Sequence, residues 1–426
     1  MADSGAGGGA GDGAARNTVP GRPLRYAGYR SWSYLVAGRD VREIPLASET
    51  QRVPPFTVEV SDAEEARTWR LLAEHPAISL HDHLEVAPED ITRLDEWVRD
   101  GHPSTGYEGL ARSGLAAVFE NFGDGTATIT SKSGWKWSDV IHDIGMRYAD
   151  WAHQDFVVRG ETVADIQRAF AGGRVAVIGA LEAATPIENE LDRIDVLYGL
   201  GIRMLGVVYS ESNALGSGCR EAVDGGLTGF GRRAVERMNR LGMLIDVSHA
   251  GDRTSLDTIK ASAAPVCISH SGARELWPIS KCKPDEVIRA CAERGGVIGI
   301  EAAPGTTMLK TDLREASIET FMRHFEYCVD LAGIDAVTFG PDTFFGDHAG
   351  SYGIPSGALL ASGDSDYDAI VPEHVVGLEN IGEYPNIVRW LVRHGYSDDE
   401  IARVTGGNTL RVLEQAWSRQ GGPRWD

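Results

Sequence analysis

The sequence predicts an α/β protein built as a (β/α)8 TIM-type barrel, and three observations carry the fold. Eight short apolar runs recur along the chain, each followed by a Gly-, Pro- or Asn-rich loop and then a segment of helical period. The runs are apolar on both faces, as strands of a parallel sheet covered by helices are, and eight such units close a barrel. No GxGxxG follows the first run, so an open doubly wound dinucleotide fold loses its main support.

Residues 1–20 read as a disordered Gly/Ala-rich tail. Residues 21–76 form a Pro-containing lead-in expected to pack on the barrel, which spans 77–418 with its C-terminal helices. The strand runs are AISLHDH (77–83), GLAAVFE (114–120), RVAVIGALE (174–182), IRMLGVVY (202–209), GMLIDVSH (242–249), APVCISH (264–270), GGVIGIE (295–301) and DAVTFGPD (335–342). Helical segments at 188–201, 229–242, 284–295 and 317–333 are apolar at i, i+3 and i+4 and end in Gly, as helix C-caps do. Two more helices are expected within 378–418. Three long connections, 120–137, 209–228 and 343–376, each follow a strand, which places them at the C-terminal mouth of the barrel.

Acidic residues outnumber basic ones, 62 to 41, for a formal charge of −21. That balance argues against nucleic acid and against an anionic membrane surface. The five cysteines, Cys219, Cys267, Cys282, Cys291 and Cys328, are scattered and form no CxxC pair. Neither a disulfide framework nor a thiolate zinc site is expected, and a reducing cytoplasm fits best. No signal-peptide pattern and no apolar run of transmembrane length appear.

In ISLHDHLEV (78–86), period 2 puts His81 and His83 on one face and Asp82 with the leucines on the other. Alone, this stretch fits a solvated strand end, a buried hydrogen-bond network or the first part of a metal site. The other strands change the balance. Glu182 ends the third run, Tyr209 the fourth, His249 the fifth, His270 the sixth, Glu301 the seventh and Asp342 the eighth. Polar or ionisable groups therefore stand at seven of eight strand tips, where barrel active sites form. Imidazole and carboxylate are ligands zinc prefers, and Glu182, between the histidine groups, can bridge two ions. Asp342 reads as a spare carboxylate for proton transfer, with a further ligand or a structural acid as alternatives.

The blocks 226–274, FGPD (339–342) and 377–414 resemble the membrane dipeptidase (renal dipeptidase) family, with similarity spread over roughly 77–418. The resemblance implies a zinc-dependent dipeptidase on a (β/α)8 barrel and a homodimer. It implies metal ligands at His81, Glu182, His249 and His270, two zinc ions bridged by Glu182, and Asp342 as acid/base; a single ion is the alternative should His83 not bind metal. NALGSG (213–218) matches the family's loop after the fourth strand and brings Asn213 to the substrate side. His83 stands where the family has a carboxylate ligand, Tyr209 where it has an oxyanion-binding histidine, and Lys281 near its carboxylate-gripping arginine. Glu301 adds negative charge at a position that is neutral in the family. The function this implies is cleavage of the amide bond of a dipeptide or similar small substrate by metal-hydroxide attack. The alternatives are a divergent metal enzyme acting on a non-peptide amide, ester or lactam or catalysing a non-hydrolytic step, and a non-catalytic ligand-binding barrel.

Overall fold

Eight parallel strands run around the molecule in chain order: β1 (Ile78–Asp82), β2 (Ala117–Asn121), β3 (Val175–Leu181), β4 (Ile202–Gly206), β5 (Leu244–Asp246), β6 (Cys267–Ser271), β7 (Val297–Ile300) and β8 (Val337–Phe339). The structure is a computed structural model that describes residues 18–123, 135–311, 315–352 and 374–418. The ring nearly closes where β8 exits beside β1. There Asp342 N donates to His81 O and His83 N donates to Thr343 O, both at 3.0 Å. The expected (β/α)8 architecture is the one observed.

Alternation divides the strand side chains between two cores. Ile78, Leu80, Phe119, Ile178, Met204 and Leu244 belong to one cluster, together with Val412 and Leu413 of the C-terminal helix. Their neighbours Val118, Val177, Leu205, Ile245, Ile268 and Ile298 pack in a second cluster against the surrounding helices. The expected helices appear as Asp192–Gly199, Gly229–Leu241, Asp285–Glu293 and Ile318–Ala332.

Several elements differ from expectation. A short strand, Val157–Arg159, pairs with the first half of β3, on the edge that β4 occupies along the second half. The last expected helix is interrupted by a π turn at Arg403–Gly407. At Gly406 a Cβ would lie 1.9 Å from Pro76 O, so only a bare backbone fits under the start of β1. Of the expected N-terminal tail, residues 1–17 lie outside the described residues, whereas Thr18–Val19 pairs antiparallel with Arg22–Pro23 and Val19 is buried. The lead-in is tied down by Arg22, which donates to Gly114 O and Leu115 O at 3.1 and 2.9 Å. Helix α1 (Asp62–Glu74) starts with a Ser61/Glu64 capping box and is joined to Arg389 by a two-bond ion pair at Glu65, each bond 2.7 Å. Parts of two long mouth connections, 124–134 and 353–373, lie outside the described residues. Among those described, no helix is long and apolar enough to cross a membrane.

Candidate metal centre

Simple alternation does not explain why both His81 and the interior residue Leu80 serve the barrel's inside. The pairing of β1 with β2 shifts register between Ser79 and Asp82, and that of β6 with β7 shifts between Ile298 and Ile300. Each shift places an extra residue in the histidine-bearing strand, and bulges at barrel rims re-aim side chains in this way. His81 and His270 thereby turn into the mouth, with ring centroids 3.6 Å apart. Asp82, as expected, serves elsewhere. It accepts from Thr343 N and Oγ1 at 2.9 Å and from the Ser79 hydroxyl, pinning β1 to the loop after β8. Burial pushes its carboxyl up to about 7, against those hydrogen bonds.

Glu182 follows β3, where the chain passes so close to β4 that a Cβ on Gly206 would lie 1.6 Å from Glu182 O. One oxygen, Glu182 Oε1, faces the Nε2 atoms of His249, His81 and His270 at 3.2, 3.5 and 3.5 Å. Asp342 Oδ1 lies 3.2 Å from His83 Nε2 and 3.4 Å from His81 Nε2. Two sets of ligand atoms result, His81/His83/Glu182/Asp342 and Glu182/His249/His270, each within a 4.8 Å span and sharing Glu182. Asp342 sits at φ +57° and is held there by its amide bond to His81 O, so the backbone accepts a left-handed conformation that a non-glycine residue rarely adopts.

These residues fit a divalent ion. Arms of about 2.1 Å in a tetrahedral arrangement put ligand atoms about 3.4 Å apart, which matches the observed separations. His81 Nε2 is buried and makes no hydrogen bond. Three of the imidazoles are held from behind at Nδ1: His270 by Ser269 Oγ at 2.8 Å, His249 by Ser210 Oγ at 3.4 Å, and His81 by Asn121 at 3.1 Å and Ser269 Oγ at 3.3 Å. Ser269 Oγ in turn donates to Asp246 Oδ2 at 2.6 Å. Such backing sets the tautomer of a metal-binding imidazole. Asn121 Oδ1 is buried without a hydrogen bond, and turning the amide over lets it accept from His81 Nδ1–H, leaving Nε2 a free lone pair.

Electrostatics agree with that chemistry. Burial holds His249 and His270 well below the ordinary imidazole value, reinforced by Lys281, and it lowers His81 despite Asp342. Neutral imidazole is the form that binds metal. Burial alone would raise Asp342, but His270, His81 and His83 outweigh it and hold the carboxylate well below its usual range.

The remaining expected residues are placed as follows. The Tyr209 ring stacks on His249 at 4.2 Å and meets Trp135 at 5.2 Å, at the edge of the cluster. Lys281 Nζ donates to Glu301 Oε2 at 2.8 Å and to His270 O at 3.0 Å, and Glu301 joins His270 and Asp342 within 4.8 Å. Asn213 is bonded within its own loop. Its amide donates to Val207 O at 3.0 Å and its oxygen accepts from Leu215 N at 2.7 Å, framing the loop after β4. Sequence reasoning missed Asn121, Asp246 and Ser269. The tip of β2, FEN, is the eighth polar strand tip: Asn121 holds His81, and Glu120 accepts from Leu84 N at 2.6 Å.

A parallel barrel with buried imidazoles and carboxylates at its C-terminal mouth defines the class of metal-binding β/α barrels. Within that class the chain belongs to the membrane dipeptidase family (Peptidase family M19), whose family model matches residues 145–355 and 362–421. His81 and His83 lie outside the matched segments. Curated relatives include dipeptidase tcpJ of Claviceps purpurea, 29% identical over 253 residues (59% of this chain, 53% of that protein). Dipeptidase aclJ of Aspergillus oryzae is 30% identical over 263 residues (61% and 56%). The chain spans about half the length of these relatives. Among solved structures, an amidohydrolase from Pseudomonas aeruginosa is 26% identical with a TM-score of 0.66, covering 82% of this chain and 99% of its own. A Rhodobacter sphaeroides metallo peptidase, solved with a phosphinate mimic of L-Ala-D-Ala, shares the fold at 20% identity and a TM-score of 0.63, covering 80% of this chain and 99% of its own.

Proposed function

We propose that the protein is a zinc-dependent hydrolase that cleaves the amide bond of a dipeptide or a similar small substrate. The observation that carries this reading is the pair of overlapping ligand sets sharing Glu182. In it, His81 and His83 would hold one ion and His249 and His270 the other, with Glu182 offering an oxygen to both and Asp342 kept for proton transfer. Divalent ions in such a site lower the pKa of water and polarise a carbonyl. Asp342, kept ionised by its imidazole neighbours, takes the attacking water's proton and returns it to the leaving nitrogen. Tyr209, stacked on His249, offers its hydroxyl to the oxygen that becomes negative as the carbonyl is attacked. Asn213 contributes by shaping the loop that carries Tyr209. A neutral imidazole at His83 in place of a carboxylate leaves the first site less negative and retunes its affinity.

The reading extends to a homodimer, which sedimentation checks, and to a cytoplasmic setting that suits five free thiols. The deciding experiment assays metal-loaded protein on L,L-, L,D- and Gly-containing dipeptides and their amides. Turnover that is lost on chelation and restored by zinc supports the reading. Metal-bound protein that cleaves none of these amides refutes it.

A further inference from the structure

The loop after β6 brings two lysines, Lys281 and Lys283, beside a cluster of imidazoles and carboxylates on which Arg220, from the loop after β4, also acts through its charge. Both are buried and both ammonium groups are committed within the protein. Lys283 donates to Ala250 O and to Ser255 Oγ, away from the cluster. Lys281 reaches the cluster, but Glu301 Oε2 lies 2.8 Å from its Nζ, with only 6% and 1% of the two side chains exposed. His270 O takes a second of its three N–H groups. Burial opposes the charge on Lys281, yet Glu301 outweighs it and raises the lysine above its ordinary value. Glu301 does not shift in the opposite sense. Burial and Asp342 together outweigh Lys281 and push its carboxyl up to about 7, so the pair rests on geometry, with the lysine firmly cationic.

An ammonium already neutralised at contact distance attracts a second anion weakly, and an incoming carboxylate also meets Glu301 itself. We infer that the Lys281–Glu301 pair sets the charge preference of the site: it favours substrates whose group beside the scissile amide is uncharged over dipeptides with a free terminal carboxylate. This rests on the hydrolase reading above and narrows its substrate class to carboxylate-free amides. Glu301 is thereby a specificity-determining residue that acts through its pairing with Lys281.

The test compares L-Ala-L-Ala with L-Ala-L-alaninamide on metal-loaded protein at pH 8, above the value of about 7 to which Glu301 is pushed, in wild type, Glu301→Gln and Lys281→Met. The expected wild-type preference is tenfold or more in kcat/KM for the amide. Glu301→Gln is expected to move the ratio at least tenfold toward the free dipeptide, through KM. Product binding gives a second readout that needs no turnover: alaninamide binds wild type more tightly than alanine, and Glu301→Gln reverses the order. A wild-type preference for the free dipeptide, or a ratio unmoved by Glu301→Gln, overturns the inference while leaving the hydrolase reading intact. A free-acid preference that Lys281→Met abolishes does the same. If no amide is cleaved, the hydrolase reading fails first, and the alanine/alaninamide comparison still decides the charge preference.

Discussion

Arg147 on the helix Trp137–Trp151 is fully buried, and its guanidinium ties together the two loops that leave β1 and β2. It donates to Glu120 Oε1 at 2.6 Å, contacts Asp143 Oδ1 at 3.4 Å and pairs with Glu85. Glu120 in turn accepts from Leu84 N and Asp143 accepts from Gly123 N, so Arg147 holds the segment that carries His83. Arg147→Met removes the cation and leaves three carboxylates with little water. Breaking a buried ion pair from one side costs about 3–5 kcal/mol. With an unfolding entropy of about 2.1 cal/mol/K per residue, the 426-residue chain has about 0.9 kcal/mol/K, so the Tm falls by about 3–6 °C.

The loss also depends on pH with a definite sign. Burial already holds Glu120 well above its ordinary value, so the folded state binds a proton that the unfolded state releases, and stability falls as pH rises. Without Arg147 that shift grows, and the deficit is larger at pH 8 than at pH 5.5. The assay is scanning calorimetry at the two pH values, with zinc affinity measured alongside. A Tm within 1 °C of wild type at pH 8 refutes the reasoning, because it means that the network is not acting as buried charge.

Other perturbations have equally definite outcomes. His324 Nδ1 accepts from Ala273 N and its Nε2 donates to Met308 O, both at 2.9 Å, and burial pushes its pKa down to about 4. Between about pH 6.5 and 4 the unfolded chain binds a proton that the folded one refuses, so stability is full above 6.5 and falls with acid by up to about 3 kcal/mol. In His324→Gln, denaturation midpoints measured across that range fall less steeply than in wild type. Ser269→Ala removes the hydroxyl between Asp246 and the His81 and His270 rings. Zinc affinity, read by competition with a chelating dye, falls about 10–100-fold while the far-UV spectrum is unchanged.

The strands, the nearly closed barrel and the gathering of His81, His83, Glu182, His249, His270 and Asp342 were legible because each rests on local pattern. Apolar runs mark strands, and polar residues at their tips are brought together by closure of the ring. The supporting residues were not legible. Asn121, Asp246 and Ser269 matter through bonds to imidazoles on other strands, and those bonds exist only after the register shifts in β1 and β6, which no Gly or Pro announces in ISLHD or CISHS. The pairing of Lys281 with Glu301 was hidden for a similar reason: the two lie 20 positions apart on different loops, and only the packing of β6 beside β7 brings them into contact. The Val157–Arg159 strand escaped because three residues are too few to show a period.

The proposed bridging of two ions by Glu182, with imidazoles on either side, is tested most directly by counting zinc per chain, by elemental analysis after dialysis, in wild type and in Glu182→Gln. The account predicts about two equivalents in wild type and one or fewer in the variant. A wild-type protein that retains no divalent metal, or a variant that holds as much as wild type, would contradict it.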